Sequence, residues 1–176
     1  MKTAPGLFIT HGRSRFKKMA NLKINGLDEY LKQLNKIADP EPAIKAAIYE
    51  GAGLLTNEMR TAIEHLPKFS RSANGGRAHG ITDTERAGLL RGLGITPISN
   101  RDGVFNAKIG FDGYNDNKTK KWPQGKPNVM IARSIESGTS WMQPSPFVDK
   151  TTRANKKRVE RQMVAAFDKE IKKIIK

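Results

Sequence analysis

Few side chains in this sequence could carry out metal or acid–base chemistry, and those few are widely spaced. The three histidines, His11, His65 and His79, do not fall into a spacing such as H-E-x-x-H, which would place two metal ligands on one helix face. Cysteine is absent, which excludes a thiolate metal site and a disulfide framework. A metal-dependent reaction, such as that of a nuclease, is therefore disfavoured, and no cofactor is expected.

Glu136 is the acid whose position is most suggestive, because it comes directly before the turn Ser137-Gly138-Thr139-Ser140. A catalytic general base is normally oriented by a neighbouring group, and the sequence identifies no such partner for Glu136. No serine lies in a G-x-S-x-G motif, so a hydrolase of that type is unsupported. We interpret Glu136 as an ion-pairing or turn-stabilising residue, and we expect that the chain is not an enzyme.

Basic residues form the other group with binding potential. Lys120 and Lys121 directly precede Trp122, and a basic patch beside a stacking aromatic is used on single-stranded nucleic acid. A solvated lysine run beside a core or interface tryptophan is the commoner explanation of such a pattern. The basic C-terminal segment adds three candidate contacts to DNA or to an acidic partner, namely Lys156, Lys157 and Arg161.

The net charge is strongly positive and is concentrated at the two ends. The formal charge of the 176 residues is +15. Residues 1–18 hold five basic residues and no acid, and residues 150–176 hold ten basic and three acidic residues. Such a charge favours an acidic partner. We expect residues 1–18 to be a flexible basic arm and residues 19–176 to be a single domain, with no membrane partner because no apolar run is long enough to span.

Apolar periodicity predicts the helices that position these residues. A short strand over 20–24 and a short helix over 28–37 are expected first. Residues 42–66 predict a long amphipathic helix, because Pro42 suits a first helical turn and apolar residues recur at three- and four-residue steps. After Phe147 a basic C-terminal helix is predicted, with apolar residues at four-residue steps: Val159, Met163, Phe167 and Ile171.

The middle of the chain predicts a loop and a small sheet. Residues 68–86 are rich in Ser, Gly, Asn and basic residues with little to bury, so a mobile functional loop is expected there. Residues 93–98 and 104–111 predict two strands around a turn at 100–103, and residues 128–136 predict a third. The fold class is therefore α+β, a small antiparallel sheet packed with a long amphipathic helix and a C-terminal helix.

The segment between Met130 and Val148 combines large apolar residues with prolines. Trp141, Met142 and Phe147 fall within seven residues that also include Pro144 and Pro146. Proline lacks an amide donor and restricts φ, so this segment cannot continue a helix or a central strand. We expect a rigid loop whose apolar side chains pack either on their own domain or on another subunit.

The order of these parts resembles the tail-completion (head-tail joining, or neck) proteins of long-tailed DNA bacteriophages and prophages. The likeness extends over about 20–175, and four sets of residues carry it: Leu66-Pro67, Ala87-Gly88-Leu89-Leu90-Arg91, Ile131-Ala132 with Ile135-Glu136-Ser137-Gly138-Thr139, and Pro146-Phe147-Val148. The resemblance implies a non-enzymatic virion protein at the head-tail junction, made in the bacterial cytoplasm. There it would form a ring, taken as a hexamer, between the head-completion or stopper protein and the tail tube or tail terminator protein, with double-stranded DNA passing through.

From this resemblance we assign a set of subunit-interface residues: Arg91, Glu136, Gly138, Thr139, Trp141, Met142 and Phe147. Glu136, Gly138 and Thr139 are expected to shape the turn that positions Phe147, and Arg91 is expected to pair with Glu136. Replacing Phe147 by Ala should then impair assembly and leave a folded monomer. The alternative function is a nucleic-acid-binding protein that uses the basic C-terminal helix.

Overall fold

The computed structural model describes residues 20–21, 40–71 and 76–174, and it has the α+β fold that the sequence predicts. The predicted basic arm over 1–18 and the predicted short helix over 28–37 lie outside the described residues. In chain order the elements are β1 (Ala20–Asn21), α1 (Glu41–Glu64), α2 (Asp83–Gly92), β2 (Leu93–Ile95), β3 (Ser99–Arg101), β4 (Val104–Asn106), β5 (Lys108–Phe111), α3 (Asn128–Ser137) and α4 (Phe147–Ile174).

Helix α1 confirms the long helix that the apolar spacing predicts. Pro42 lies in its first turn, where a missing amide hydrogen leaves no bond unmade, and Glu41 favours the positive end of the helix dipole. One face is buried along the length of the helix: Ala43, Ile44, Ala47, Gly51, Ala52, Leu55, Thr56, Met59 and Ile63. Burying each large aliphatic side chain contributes about 1.5–3 kcal/mol, so α1 is a main element of the core.

Helix α4 packs antiparallel along α1, and the pair forms the centre of the fold. Its predicted apolar positions Val159, Met163 and Phe167 are buried. Arg158 of α4 donates to Glu58 of α1 at 2.6 Å, and Gln162 donates to Glu50 two turns earlier in α1 at 3.5 Å. Both long helices therefore match the periodicity read from the sequence.

The antiparallel sheet is small and packs beside this helix pair. Its strand order is β1-β5-β2, with Leu93 opposite Phe111 and Ile95 opposite Ile109. Strands β3 and β4 form a separate two-stranded hairpin in which Arg101 pairs with Val104. The predicted turn between them is confirmed, because Asp102 and Gly103 both have positive φ, as a two-residue hairpin turn of type I′ requires.

The predicted hairpin strands are each interrupted. Residues 93–98 hold only β2, and residues 104–111 are divided into β4 and β5 at Ala107. At the interruption Thr96 donates its backbone N–H to Lys108 O at 2.8 Å, and its hydroxyl accepts from Lys108 N at 2.9 Å. The Thr96 hydroxyl thus takes the place of a backbone oxygen as the acceptor for Lys108 N. The β1-β5-β2 sheet ends at this point, and the β3-β4 hairpin is a separate sheet.

The prediction of a third strand over 128–136 is wrong, because these residues form helix α3. The buried residues are Asn128, Ile131, Ala132 and Ile135, which is the i, i+3, i+4, i+7 spacing of one helix face. Val129 and Met130 are exposed. A short apolar run is ambiguous between strand and helix, and here contact with α2, β5 and α4 selects the helix.

Part of the predicted loop over 68–86 is also helical. Helix α2 starts at Asp83, where Thr82 and Glu85 form a capping box: the Thr82 hydroxyl accepts from Glu85 N at 3.2 Å, and the Glu85 carboxylate accepts from Thr82 N at 3.0 Å. The T-x-x-E pattern is the sequence signal that this prediction missed. Ile81 is fully buried, so the segment does contribute to the core. Its mobility stays a prediction.

Arg86 of α2 caps the C-terminal end of α1. Its guanidinium donates to the backbone oxygens of Ile63 at 2.5 Å, Glu64 at 2.6 Å and Leu66 at 2.6 Å. A cation at this position satisfies carbonyl groups that have no partner within the helix and interacts favourably with the negative end of its dipole. This contact places α2 at the end of α1. Among the described residues, no helix is both long and apolar enough to cross a membrane.

Candidate functional site

The turn after α3 has a backbone conformation that requires glycine at position 138. Its φ of 68° lies in the left-handed region, which side chains with a Cβ rarely adopt. A Cβ at this position would lie 2.8 Å from Pro144 N and 2.9 Å from Met142 O. Only glycine therefore fits, and the chain can pass closely beneath the proline-containing segment.

Thr139 and Met142 close the same turn with a pair of hydrogen bonds. The Thr139 backbone N–H donates to Met142 O at 2.9 Å, and Met142 N donates to the Thr139 hydroxyl at 3.1 Å. Arg77 adds a longer bond from its guanidinium to Thr139 O at 3.4 Å. Ser140 and Trp141 lie at the tip that these bonds enclose.

Glu136 links α3 to the start of α4. Its two carboxylate oxygens accept hydrogen bonds from the backbone N–H groups of Val148, at 2.9 Å, and Asp149, at 3.0 Å. A carboxylate at a helix N-terminus satisfies orphan donors and is stabilised by the dipole. Glu136 is thus a helix-capping residue, and the prediction that Glu136, Gly138 and Thr139 shape the turn leading to Phe147 is confirmed.

The predicted Arg91–Glu136 ion pair is wrong. Arg91, which is exposed at the end of α2, makes two bonds to the Asp116 carboxylate, at 3.0 and 3.2 Å, and one to Tyr114 O at 3.2 Å. Both side chains of this pair face solvent, so the pair contributes little to stability. Arg91 orients the loop after β5, while Glu136 is engaged by backbone amides elsewhere.

Met142 and Phe147 are core residues of the single chain, and their assignment to a subunit interface stays a prediction. They are 6% and 5% exposed within the single chain. The Phe147 ring lies edge-on to Phe111 of β5, with the ring centroids 6.0 Å apart. The burial of these two side chains anchors the proline-containing loop on the core of its own domain.

Of the three large apolar residues Trp141, Met142 and Phe147, Trp141 is the one that faces solvent, with 52% of its surface exposed. Its backbone is nevertheless fixed, because Trp141 O accepts from Ala78 N and Gln143 N donates to Ala78 O, both at 2.8 Å. Ser70 and His79 pair in turn through two bonds of 2.9 Å. The segments that contain Ser70, Ala78-His79 and Trp141 are thus joined by backbone hydrogen bonds, and we call them the platform. The indole of Trp141 lies outside this platform.

The Ala87-Gly88-Leu89-Leu90-Arg91 motif has a packing role within α2. A Cβ on Gly88 would lie 2.7 Å from Asn128 Oδ1, so glycine permits α3 to approach closely. Leu89 is completely buried. The motif therefore joins α2 to α3 and to the core through Gly88 and Leu89, while Ala87 and Arg91 face solvent.

The loop that carries Lys120 and Lys121 is ordered by two buried asparagines. Asn115 Oδ1 accepts from Lys126 N at 2.8 Å, and Asn128 Nδ2 donates to Asp112 O at 2.8 Å. Both lysines are exposed, and Lys121 Nζ lies 5.9 Å from the centre of the Trp122 ring. Trp122 is partly buried, and the distance to Lys121 is at the outer limit of a cation–π contact.

The structure divides the three basic candidates on α4 between different faces. Lys157 and Arg161 are exposed, whereas Lys156 is partly buried. Two further basic residues, Lys150 and Arg153, precede Lys157 and Arg161 at helical spacing and are exposed on the same side of α4. Sequence reasoning missed them, although the steps of three, four and four residues are visible in the printed chain.

Two of the three histidines, His65 and His79, lie in the described part of the chain. His65 bonds through Nδ1 to Thr61 O at 2.8 Å at the end of α1, and His79 lies on the platform. Within 40–71 and 76–174, no three His, Asp or Glu side chains come together as a metal site would require. An open groove of about 590 Å³ between α1 and α4 includes Glu50, which is bonded to Gln162.

Comparisons with known proteins give no further assignment. The chain matches no family model, and neither the curated proteins nor the solved structures contain a match. The resemblance to phage tail-completion proteins stays a prediction that is based on the residues of this chain.

Proposed function

We propose that this chain is a structural assembly protein of the head-tail junction of a tailed bacteriophage, where it acts as one subunit of a ring. The proposal depends mainly on one observation, which is that Trp141 is 52% exposed on a well-defined turn. Hydrogen bonds of Thr139 and Glu136 and the close packing at Gly138 define the conformation of this turn. The buried side chains of Met142 and Phe147 attach it to the core. In the proposed ring the indole contacts a neighbouring protein.

A braced tryptophan suits a docking contact for an energetic reason. Tryptophan is enriched among the interface residues whose truncation costs about 2 kcal/mol or more. A loop already held by backbone bonds loses little conformational freedom when a partner binds, so less of the contact energy is lost to ordering. Trp141 is therefore favoured over the flexible lysines as the main anchor.

A ring needs two different contact surfaces, because each subunit meets its neighbours through a heterologous interface. Exposed apolar residues lie at both ends of α3, which is about 15 Å long. Val129 and Met130 lie at its start, with Tyr114 paired to the adjacent Pro127, and Trp141 follows its end. This arrangement supports a head-to-tail contact along α3 and a structural role in preference to an enzymatic one.

The test compares Trp141→Ser with Val164→Ser, a control on α4 whose side chain is also 52% exposed. Mass photometry and negative-stain microscopy at increasing protein concentration measure the oligomer. We expect closed rings for the wild-type chain and for Val164→Ser. Trp141→Ser should weaken association by roughly thirtyfold or more, which corresponds to about 2 kcal/mol. Rings that persist unchanged in Trp141→Ser would remove Trp141 from the interface.

A nucleic-acid-binding protein is the second candidate, and the exposed basic residues of α4 favour it. It makes the opposite prediction about oligomeric state, since it requires no ring. A chain that stays monomeric at high concentration and binds DNA with a steep salt dependence would support this second function over the first.

A further inference from the structure

Four basic side chains form a straight stripe on the outward face of α4. Lys150, Arg153, Lys157 and Arg161 are all exposed and follow one another at steps of three or four residues, which places them on one helix face. The opposite face holds Val159 and is buried against the core. We call these four residues the α4 stripe.

Two other basic residues of α4 form ion pairs within the chain. Arg158 bonds to Glu58 of α1 at 2.6 Å, and Lys173 bonds to Glu170 at 2.6 Å. Within the stripe, Arg153 is bonded to Asp149 at 3.0 Å, but its side chain remains 67% exposed. Asp168, further along the same face, limits the stripe to the first half of α4.

We propose that the α4 stripe binds the phosphate backbone of double-stranded DNA without reading its sequence. From Lys150 to Arg161 the helix rises about 16 Å, and over that length one strand of a duplex presents about five phosphates along its axis. Four cations on a rigid helix thus match the density of charge on one strand. Lysine and arginine contacts of this kind position a protein on DNA and carry no sequence information.

The composition of the stripe argues against other anionic partners. Single-stranded nucleic acid is bound by basic residues together with stacking aromatics, and the stripe has no aromatic residue. A membrane-surface helix places apolar residues below its basic face, whereas the apolar face of α4 is buried against its own core. A protein partner would need buried anchors at the centre of the contact, and among the α4 residues whose side chains are described, Val164 is the one large apolar residue that is exposed.

This inference goes beyond the proposed ring, because assembly through Trp141 does not require DNA contact. It also accounts for the charge of the chain. Subunits of net charge +15 repel one another, and a polyanion that touches each copy offsets that repulsion.

The experiment measures binding of a 30-base-pair duplex of arbitrary sequence by fluorescence anisotropy between 50 and 200 mM salt, with wild-type chain and K150Q/R153Q/K157Q/R161Q. The matched control is K45Q/K68Q/R71Q/R101Q, which removes the same charge from exposed residues that lie outside both α4 and the Lys120-Lys121-Trp122 loop. We expect the stripe variant to lose affinity on the order of tenfold or more, and the slope of log K against log salt to fall by about 3 to 4. The control should stay close to wild type.

Three outcomes would overturn the inference. An equal loss of duplex affinity in the control variant would indicate general electrostatic attraction. Binding of single-stranded DNA as tightly as the duplex, or displacement of the duplex by polyglutamate as effectively as by unlabelled duplex, would exclude a site for double-stranded DNA. Circular dichroism and thermal melts establish that both variants are folded. Mass photometry of the same samples separates the two proposals, because the stripe variant should still form rings, while Trp141→Ser should still bind the duplex.

Discussion

The carboxylate of Glu136 accepts a hydrogen bond from the backbone N–H of Val148 at 2.9 Å, so the last turn of α3 is tied directly to the first turn of α4. Between these two residues the chain passes through Gly138 and the exposed Trp141. The loop is short, both of its ends are fixed, and Met142 is buried beneath it. The direction in which Trp141 points is therefore a property of the helix junction.

Replacing Glu136 by Ala should lower the free energy of unfolding by about 1–2 kcal/mol, because two amide donors at the start of α4 lose their acceptor. Glu136→Gln retains one carbonyl oxygen and should lose roughly half as much. Urea denaturation measures both changes. Glu64→Ala, which removes an exposed acid from the last turn of α1, serves as the control and should change stability by less than about 0.5 kcal/mol. Equal effects at both positions would contradict the capping role.

Replacing Gly138 by Ala should destabilise the chain by two separable contributions. One is the left-handed φ of 68°, and the other is close contact of the new Cβ with Pro144 N and Met142 O. Gly103→Ala isolates the first contribution, because its φ is 79° and no heavy atom of the described chain lies within 4 Å of the added Cβ. Thermal denaturation should show a loss of about 1–2 kcal/mol for Gly103→Ala and a larger loss for Gly138→Ala. Similar losses would mean that the crowding is relieved by a small shift.

Two glycines of α1 should respond to alanine in opposite directions. A Cβ on Gly51 would lie 2.6 Å from Met163 Sδ on α4, so Gly51→Ala forces the helices apart and should cost about 1–3 kcal/mol. Gly53, two residues along, has open space within the described structure, and Gly53→Ala should stabilise by about 0.5–1 kcal/mol through helix propensity. Denaturant midpoints measure both variants. A stabilising Gly51→Ala would contradict the close packing of α1 on α4.

Phe147→Ala should now lower stability, in contrast to the expectation from sequence that it would leave the monomer intact. Removing a buried ring that packs on Phe111 costs about 3–5 kcal/mol. Trp141→Ala should change the stability of the monomer by less than about 1 kcal/mol, since half of its side chain is already in water. Unfolding of the isolated monomer compares the two, and the reverse order would contradict the assignment of Trp141 to the surface.

Local patterns account for the parts of this fold that sequence predicted well. The Pro42 start and the apolar steps of α1 are visible without any partner, as are the steps of α4 and the Asp102-Gly103 turn. Each of these depends on residues within a few positions of one another, where backbone preference and periodicity act directly. The interface residues themselves stay a prediction, whereas Lys150 and Arg153 follow the same helical steps as Lys157 and Arg161 and could have been identified from the sequence.

Residues 128–137 show what the sequence alone left undecided. Their apolar run fits a strand or a helix, and burial against α2, β5 and α4 selected the helix. Trp141 and Phe147 are both large aromatics in a proline-containing loop, and only the position of Phe111 and the core determines that one is buried and the other exposed. The sequence by itself determined that prolines would interrupt regular structure in this loop and that basic residues would be concentrated in 1–18 and 150–176. Tertiary packing decided which side chains face water, because burial depends on residues that are distant along the chain.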